Sequence, residues 1–202
     1  MLSLHHTQVS AKDQYKILIG SVIPRPIAFV TTQSQEGIVN LAPFSFYNIV
    51  SYNPAILSIS VQRLNGQMKD TTRNILKQRE AVIHNVSLDN VAQVNQSAKD
   101  LSYNDSELKR TGMTLVPSST IKTPGVKEAS VRFETELYQH VPIRDEQGSV
   151  IADLLLLKIR HYHLDEAVYQ DTYINYEHLN PLSRLAGNDY AQLGELHTLK
   201  RP

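Results

Sequence analysis

At 202 residues the chain suits a single domain spanning residues 1–202 and is long enough to bury a sizeable core. Lys and Arg together number 20, as do Asp and Glu, so nothing in the charge recommends a nucleic-acid or membrane-surface partner. Cysteine is absent, which excludes disulfides, thiolate metal sites, iron–sulfur clusters and cysteine nucleophiles, and suits a cytoplasmic protein. The residues up to Tyr15 lack the apolar run of a signal peptide, and the longest apolar run, Leu154 to Leu157, is far too short to span a bilayer.

Residues 1–20 are polar until Ile17-Leu18-Ile19, and are expected to cover one end of the fold. Pro26 to Thr32 is apolar and β-branched, which predicts a strand, and Gln33 to Gly37 reads as a turn. The strand resumes at Ile38 to Leu41 and is expected to be interrupted by Ala42 to Asn48, because Pro43 donates no ladder bond and marks an edge, a bulge or a break. Leu57, Ile59 and Val61 alternate with Ser58 and Ser60, giving a strand with one apolar face and one hydroxyl face.

Asp70 is a candidate N-cap for a helix containing Thr71 to Gln78, followed by a strand from Glu80 to Val86. Ser87 is a candidate cap for a helix presenting Val91, Val94 and Ala98 on one face, and Ser106 to Gly112 reads as a short helix closed by its glycine. Val131 to Tyr138 alternates as a half-buried antiparallel strand. Asp145 to Gly148 makes a turn, and Ser149 to His163 forms a long strand whose centre, Leu154 to Leu157, is expected to be buried on both faces. The remainder is tyrosine-rich and loop-like. Short strands with a few inserted helices predict a mainly β fold, a barrel with appended helices.

Two constellations carry chemistry. The helix start at Lys69-Asp70-Thr71-Thr72, with Asn74, combines unpaired first-turn N–H groups, the positive end of the helix dipole and a lysine. It is either an anion site or a helix start that caps itself. The stretch Asn40 to Asn48 frees backbone groups from the ladder wherever the strand breaks. Ser45 adds a hydroxyl and Phe44 and Phe46 add apolar walls, so the stretch is either a ring slot or a structural bulge. Arg25, held extended between Pro24 and Pro26, contacts a bound ring or phosphate or is simply solvated. His161 and His163 share a strand face but have no third ligand at a supporting spacing, so no metal site is expected. No G-x-G-x-x-G or phosphate loop occurs, and no acid–base pair stands out.

Pro24-Arg25-Pro26, Val30-Thr31-Thr32, Asn40 through Phe46, Lys69-Asp70-Thr71 and Ser183 through Gly187, in this order and spacing, resemble the flavin reductase-like, FMN-binding split-barrel family. The resemblance implies a split β-barrel, a homodimer and an FMN site near the subunit interface. It further implies that Asn40, Ala42, Pro43, Ser45, Phe46 and Asn48 surround the isoalloxazine, and that Lys69, Asp70, Thr71 and Asn74 surround the ribityl phosphate. Thr31, Ser60 and Val61 are further assignments on the same basis, and Arg184 and Gly187 are placed near the flavin or substrate face. The implied activity is NAD(P)H-dependent flavin reduction through bound FMN to free flavin or another small acceptor. Flavin itself takes the hydride, so no protein residue need be catalytic. The alternative is an FMN-binding electron carrier or sensor without turnover. The segment 88–130 matches no pattern and is expected to contain a lid or substrate-contacting region.

Overall fold

Seven strands form one antiparallel sheet in the order β2-β1-β5-β8-β9-β4-β3. The computed structural model describes residues 1–99 and 101–201. In chain order the elements are α1 (Ala11–Ser21), β1 (Ala28–Gln33), β2 (Val39–Phe44), β3 (Tyr47–Tyr52), β4 (Ala55–Gln62), α2 (Asp70–Gln78), β5 (Glu80–Asn85), α3 (Val91–Gln96) and α4 (Leu108–Thr111). After these come β6 (Leu115–Val116), β7 (Gly125–Val126), the long hairpin β8 (Val131–Arg144) and β9 (Val150–Leu164), β10 (Tyr169–Gln170), β11 (Tyr173–Ile174), α5 (Tyr176–Leu179), β12 (Ser183–Arg184) and β13 (Tyr190–Ala191). The two edges of the large sheet, β2 and β3, are neighbours in sequence, separated only by Ser45 and Phe46. That short link forces the sheet to curl until its edges approach, yet β2 and β3 do not pair, so the barrel stays split. The expected fold class is therefore correct.

Burial explains the strand patterns. Ala28 and Val30 of β1 pack inside the barrel with Leu57, Ile59, Val61, Leu155 and Leu157, while Phe29 packs on the other face with Val39, Leu41 and Val94. β1 is thus covered on both sides, which is why it reads as a continuous apolar run. Each fully buried aliphatic side chain of this kind contributes about 1.5–3 kcal/mol. β4 shows the expected alternation, with Ile59 and Val61 buried and Ser58 and Ser60 partly exposed.

Several expectations need correction. β2 does not stop at Leu41 but runs through Pro43 to Phe44, in register with β1 by pairing Pro43 with Phe29. Pro43 is tolerated because β2 is an edge strand, one of the roles its sequence allowed. α3 is capped by Asn90, not Ser87; the Asn90 side chain instead accepts the Ser87 N–H at 3.0 Å. Leu155 and Leu157 are fully buried, but Leu154 and Leu156 on the opposite face of β9 are only half-buried. The C-terminal segment is not merely loop, since it forms β10 to β13 and α5, and β12 bridges back to Arg25.

Three polar clusters fasten the sheet. Arg63 grips Asp153 with two nitrogens at 2.8 Å each, and His140 Nε2 lies 2.8 Å from the same carboxylate. Burial alone pushes the Asp153 carboxyl up, but Arg63 and His140 outweigh it and hold its pKa below the usual value. Glu134 is fully buried and accepts from Ser119 N–H, Thr120 N–H and Thr120 Oγ1, with His163 Nε2 at 2.6 Å. Burial would raise its pKa, and these partners instead bring it down to about 2. His84 bridges two layers: Nδ1 donates to Phe29 O at 2.9 Å while Nε2 accepts Val126 N–H at 2.9 Å. A Cβ on Gly125 would come within 3.1 Å of His84 Nε2, so glycine is what lets β7 approach the ring.

Burial pushes the His84 pKa down to about 3 from 6.5. A histidine depressed in the folded state contributes stability that is present above its unfolded pKa and is lost as pH falls. Unfolding free energy measured by urea titration is expected to drop by about 1.4 kcal/mol per pH unit below about 6.5. A His84→Gln variant should be less stable at neutral pH but should lack that slope between pH 6.5 and the carboxylate range. An unchanged slope would remove His84 as its source.

Candidate functional site

α2 starts without a side-chain cap. Its N-cap is Lys69, whose side chain offers no acceptor, and no side-chain capping bond is made there. Asp70, expected to be the cap, is instead the first helical residue, and its carboxylate is taken by Arg73 Nη1 at 2.7 Å. The first turn of a nine-residue helix therefore presents N–H groups and the positive end of the dipole to a cavity of about 540 Å³. Lys69, Asp70, Thr71 and Arg73 line that cavity, together with Asn40, Ala42 and Pro43 of β2.

Buried amides tie α2 to the sheet. Asn40 Nδ2 donates to Thr71 Oγ1 at 3.0 Å, and Asn74 Nδ2 donates to Thr32 Oγ1 at 3.1 Å. Tyr103 OH donates to Asn74 Oδ1 at 3.0 Å, and the Arg73 guanidinium lies 4.5 Å from the centre of the Tyr103 ring. The segment before α4 thereby covers the start of α2. Thr72 Oγ1 is buried with no partner among the described residues, and Thr72 lines neither this cavity nor the one that adjoins it.

The outer edge of β2 forms the floor of the cleft. Ser106 Oγ donates to Val39 O at 2.5 Å, and Glu107 Oε2 accepts Leu41 N–H at 2.9 Å. Burial raises the Glu107 pKa, with the Leu41 N–H acting against it. By the two-residue alternation of a strand, the Pro43 nitrogen faces outward as the Leu41 N–H does, so proline costs no bond to β1. Pro43 and Phe44 carry the cleft into a second cavity of about 390 Å³, lined also by Ser45, Phe46, Arg184, Gly187 and Tyr190.

Of the residues expected at the site, Asn40, Ala42, Pro43, Lys69, Asp70 and Thr71 line the first cavity and Arg25, Pro43, Ser45 and Phe46 the second. Arg184 and Gly187 join the second. Asn74 stands behind the lining through Tyr103. Thr31 does not line either cavity, since its hydroxyl donates to Pro124 O at 2.6 Å. Val61 is in the barrel core. Ser60 lies on β4 and receives a bond from Gln62, and the exposed Asn48 caps the Ile49 N–H, both away from the two cavities. Arg25 is not solvated: Nη1 donates to Ile19 O and Val22 O at 2.7 and 2.8 Å, and Nη2 donates to Leu185 O at 2.9 Å. Sequence reading missed Arg73, Lys99, Tyr103 and Glu107, all on the first cavity. The last three fall inside the unmatched segment 88–130, where only the expectation of a covering region pointed to them.

The chain is thus a split barrel with a cleft that joins an uncapped helix start to an aromatic slot. It belongs to the flavin reductase-like family, whose domain, described as "Flavin reductase like domain", matches residues 19–182. The Bacillus subtilis protein YwrF, itself described as uncharacterized, is 51% identical over 197 residues, covering 96% of each chain. The crystal structure of nitrilotriacetate monooxygenase component B from Bacillus cereus superimposes with a TM-score of 0.96 at 43% identity, covering 98% of both chains. That of the 2-nitrobenzoate 2-nitroreductase NbaA from Pseudomonas fluorescens does so with a TM-score of 0.88 at 26% identity, covering 100% of this chain and 96% of that one.

Glu107 is the residue whose removal tests the floor of the cleft. Glu107→Ala leaves the Leu41 N–H without its acceptor and is expected to cost about 1–3 kcal/mol in chemical denaturation. Glu107→Gln, which keeps a carbonyl acceptor, should cost clearly less. Equal losses in both variants would show that the charge, and not the hydrogen bond, matters.

Proposed function

We propose that the protein is an FMN-dependent oxidoreductase that takes reducing equivalents from NAD(P)H and delivers them to free flavin or another small acceptor. The observation that carries this reading is the pair of adjoining cavities that share Pro43 and Phe44 of β2, one holding an uncapped helix start and the other aromatic walls. Family membership and the likeness to a monooxygenase component and a nitroreductase support it. A homodimer acting in the cytoplasm completes the proposal. Ile49, Val50 and Tyr52 of the β3 edge strand are exposed and suit an apolar subunit contact.

The residues present fit the cofactor. A phosphate needs N–H donors and positive potential, and the α2 start supplies both, with Lys69 and Thr71 lining the cavity beside it. A flat ring needs apolar walls and backbone partners, which Phe44, Phe46 and the outer edge of β2 offer. When bound, FMN supplies the ability to accept a hydride and to pass electrons on singly or in pairs. The protein's own share is to bind, orient and shield. Asn40 and Asn74 fix the helix start against β1 and β2, Tyr103 covers it, and Ser106 with Glu107 holds the β2 edge straight. No residue in this scheme is catalytic.

Lys69→Ala combined with Thr71→Ala should weaken FMN retention by about tenfold or more, given charge-assisted bonds of about 1.5–3 kcal/mol. Equilibrium dialysis against low FMN measures this, and unchanged retention would remove the phosphate assignment. Purified protein loaded with FMN should lose its flavin absorbance within seconds of anaerobic NADH or NADPH addition. Bleaching by dithionite but by neither nucleotide would favour a carrier or sensor without nucleotide turnover.

A further inference from the structure

The chain between β4 and α2 turns back on itself just before the helix start. Leu64 N–H donates to Gln67 O at 3.3 Å, and Gln67 N–H donates to Leu64 O at 2.9 Å. Between them Asn65 and Gly66 have φ of 51° and 75°. This is the Asn-Gly pattern of a tight hairpin turn, in which both central residues take positive φ. It is the one Asn-Gly pair in the sequence. Asn65 lines the cavity that also holds Lys69, Arg73 and Lys99.

The pair is open to its own chemistry. Both residues are exposed, and neither the Asn65 side chain nor the Gly66 N–H makes a hydrogen bond among the described residues. A Cβ built on Gly66 would meet nothing within 4 Å, so the space beside its nitrogen is clear. Glycine also has no side chain of its own to crowd an attacking backbone nitrogen, and it has the freest backbone of any residue.

We propose that Asn65 is a site of spontaneous deamidation, and that the carboxylate formed there weakens the cavity's hold on a bound anion. The Gly66 backbone nitrogen, on giving up its proton to base, attacks Asn65 Cγ. The new N–Cγ bond closes a cyclic imide, and the Cγ–Nδ2 bond breaks to release ammonia. Water then opens the imide. Cleavage of the N–Cγ bond leaves aspartate, while cleavage at the main-chain carbonyl leaves isoaspartate, with the chain routed through Cβ. Water is the sole co-reactant, and nothing is oxidised or reduced. The two carboxylates already on this cavity are occupied, Asp70 by Arg73 and Glu107 by the Leu41 N–H. A carboxylate at the hairpin tip has no such partner, so its charge opposes any anion that Lys69, Arg73 and Lys99 attract. In taking that anion to be the FMN phosphate the inference rests on the proposed function; the modification itself does not.

Ageing the purified protein at mildly alkaline pH, with tryptic peptides weighed beside those of fresh protein, tests the site. Cleavage after Arg63 and Lys69 isolates residues 64–69. In aged protein this peptide is expected to gain the mass difference between an amide and a carboxylic acid, at Asn65 and not at Gln67. It should also accept methyl groups from an isoaspartyl methyltransferase. Asn65→Gln, whose longer side chain closes the ring far more slowly, should stay unmodified. In equilibrium dialysis, Asn65→Asp and the aged protein should hold FMN about threefold more weakly than fresh protein, as one added charge beside the cavity's cations requires. Aged Asn65→Gln should hold it as fresh protein does. No mass gain at Asn65 would overturn the site, and unchanged retention in Asn65→Asp would overturn its effect on the cavity. If the Lys69→Ala, Thr71→Ala double variant weakens retention while Asn65→Asp does not, the proposed function stands and this inference falls. Modification of Asn65 in protein that binds no FMN would sink the phosphate assignment and leave the modification site standing.

Discussion

The outer side of β2 has no neighbouring strand, so every N–H and C=O it presents must be met by something else. Much of the site's construction is a response to that demand. At Val39 and Leu41 the partners are the Ser106 hydroxyl and the Glu107 carboxylate, which bring the chain before α4 down onto the strand. At Pro43 the problem is reduced by removing the donor altogether. The residues from Pro43 to Phe46 border the cavities, so the place where protein partners run out is the place where a ligand can contribute. A sheet edge that would otherwise invite another chain becomes one wall of a binding cleft.

The closeness of β2 to the helix start has its origin inside the barrel. β1 is buried on both faces and holds β2 on one side and β5 on the other. α2 returns across the barrel with Ile75 in the core, and its buried Thr71, Thr72 and Asn74 need polar partners. Thr32 and Asn40 supply partners to Asn74 and Thr71. These bonds cost little net energy to form but much to leave unmade, so they fix the helix start beside the strand edge to within hydrogen-bond precision. The cleft inherits its shape from that constraint.

What was legible in the sequence was local. The alternation from Leu57 to Val61, the turn from Asp145 to Gly148 and the glycine ending α4 each declare themselves within a few residues, and each is present. The helix near residue 70 was legible too, although its cap was misplaced by one position because Asp70 has a strong capping preference that Arg73 redirects into an ion pair. The interruption expected over Ala42–Asn48 is confined to Ser45 and Phe46: proline forbids a ladder bond only on the side where a neighbour exists, and sequence does not say which side that is. Glu107 and Tyr103 give no signal, because their partners Leu41 and Asn74 lie 66 and 29 residues away and nothing nearby marks Glu107 as buried. Thr31 and Val61 had the right residue types for a site, but the sheet turns them toward a loop and the core.

Arg25 shows how a residue of the aromatic end is held in place. One guanidinium reaches the C-terminal carbonyls of α1 and a carbonyl 160 residues away in the turn after β12, while the Arg25 backbone pairs with Arg184 in both directions. The first helix and the last turn are therefore fixed to each other through a single side chain, and Tyr15 and Ile19 of one face Arg184 and Tyr190 of the other across the same cavity. Proline on either side restricts the Arg25 backbone to extended conformations and reduces the entropy lost in ordering it. Because three of the five N–H donors of this arginine are committed to the frame, the guanidinium can sit only where the frame sets it. That rigidity distinguishes it from Arg184, whose guanidinium lies 4.5 Å from the centre of the Tyr190 ring but whose side chain stays partly exposed. One cation is built into the scaffold, and the other lies at the surface of the slot.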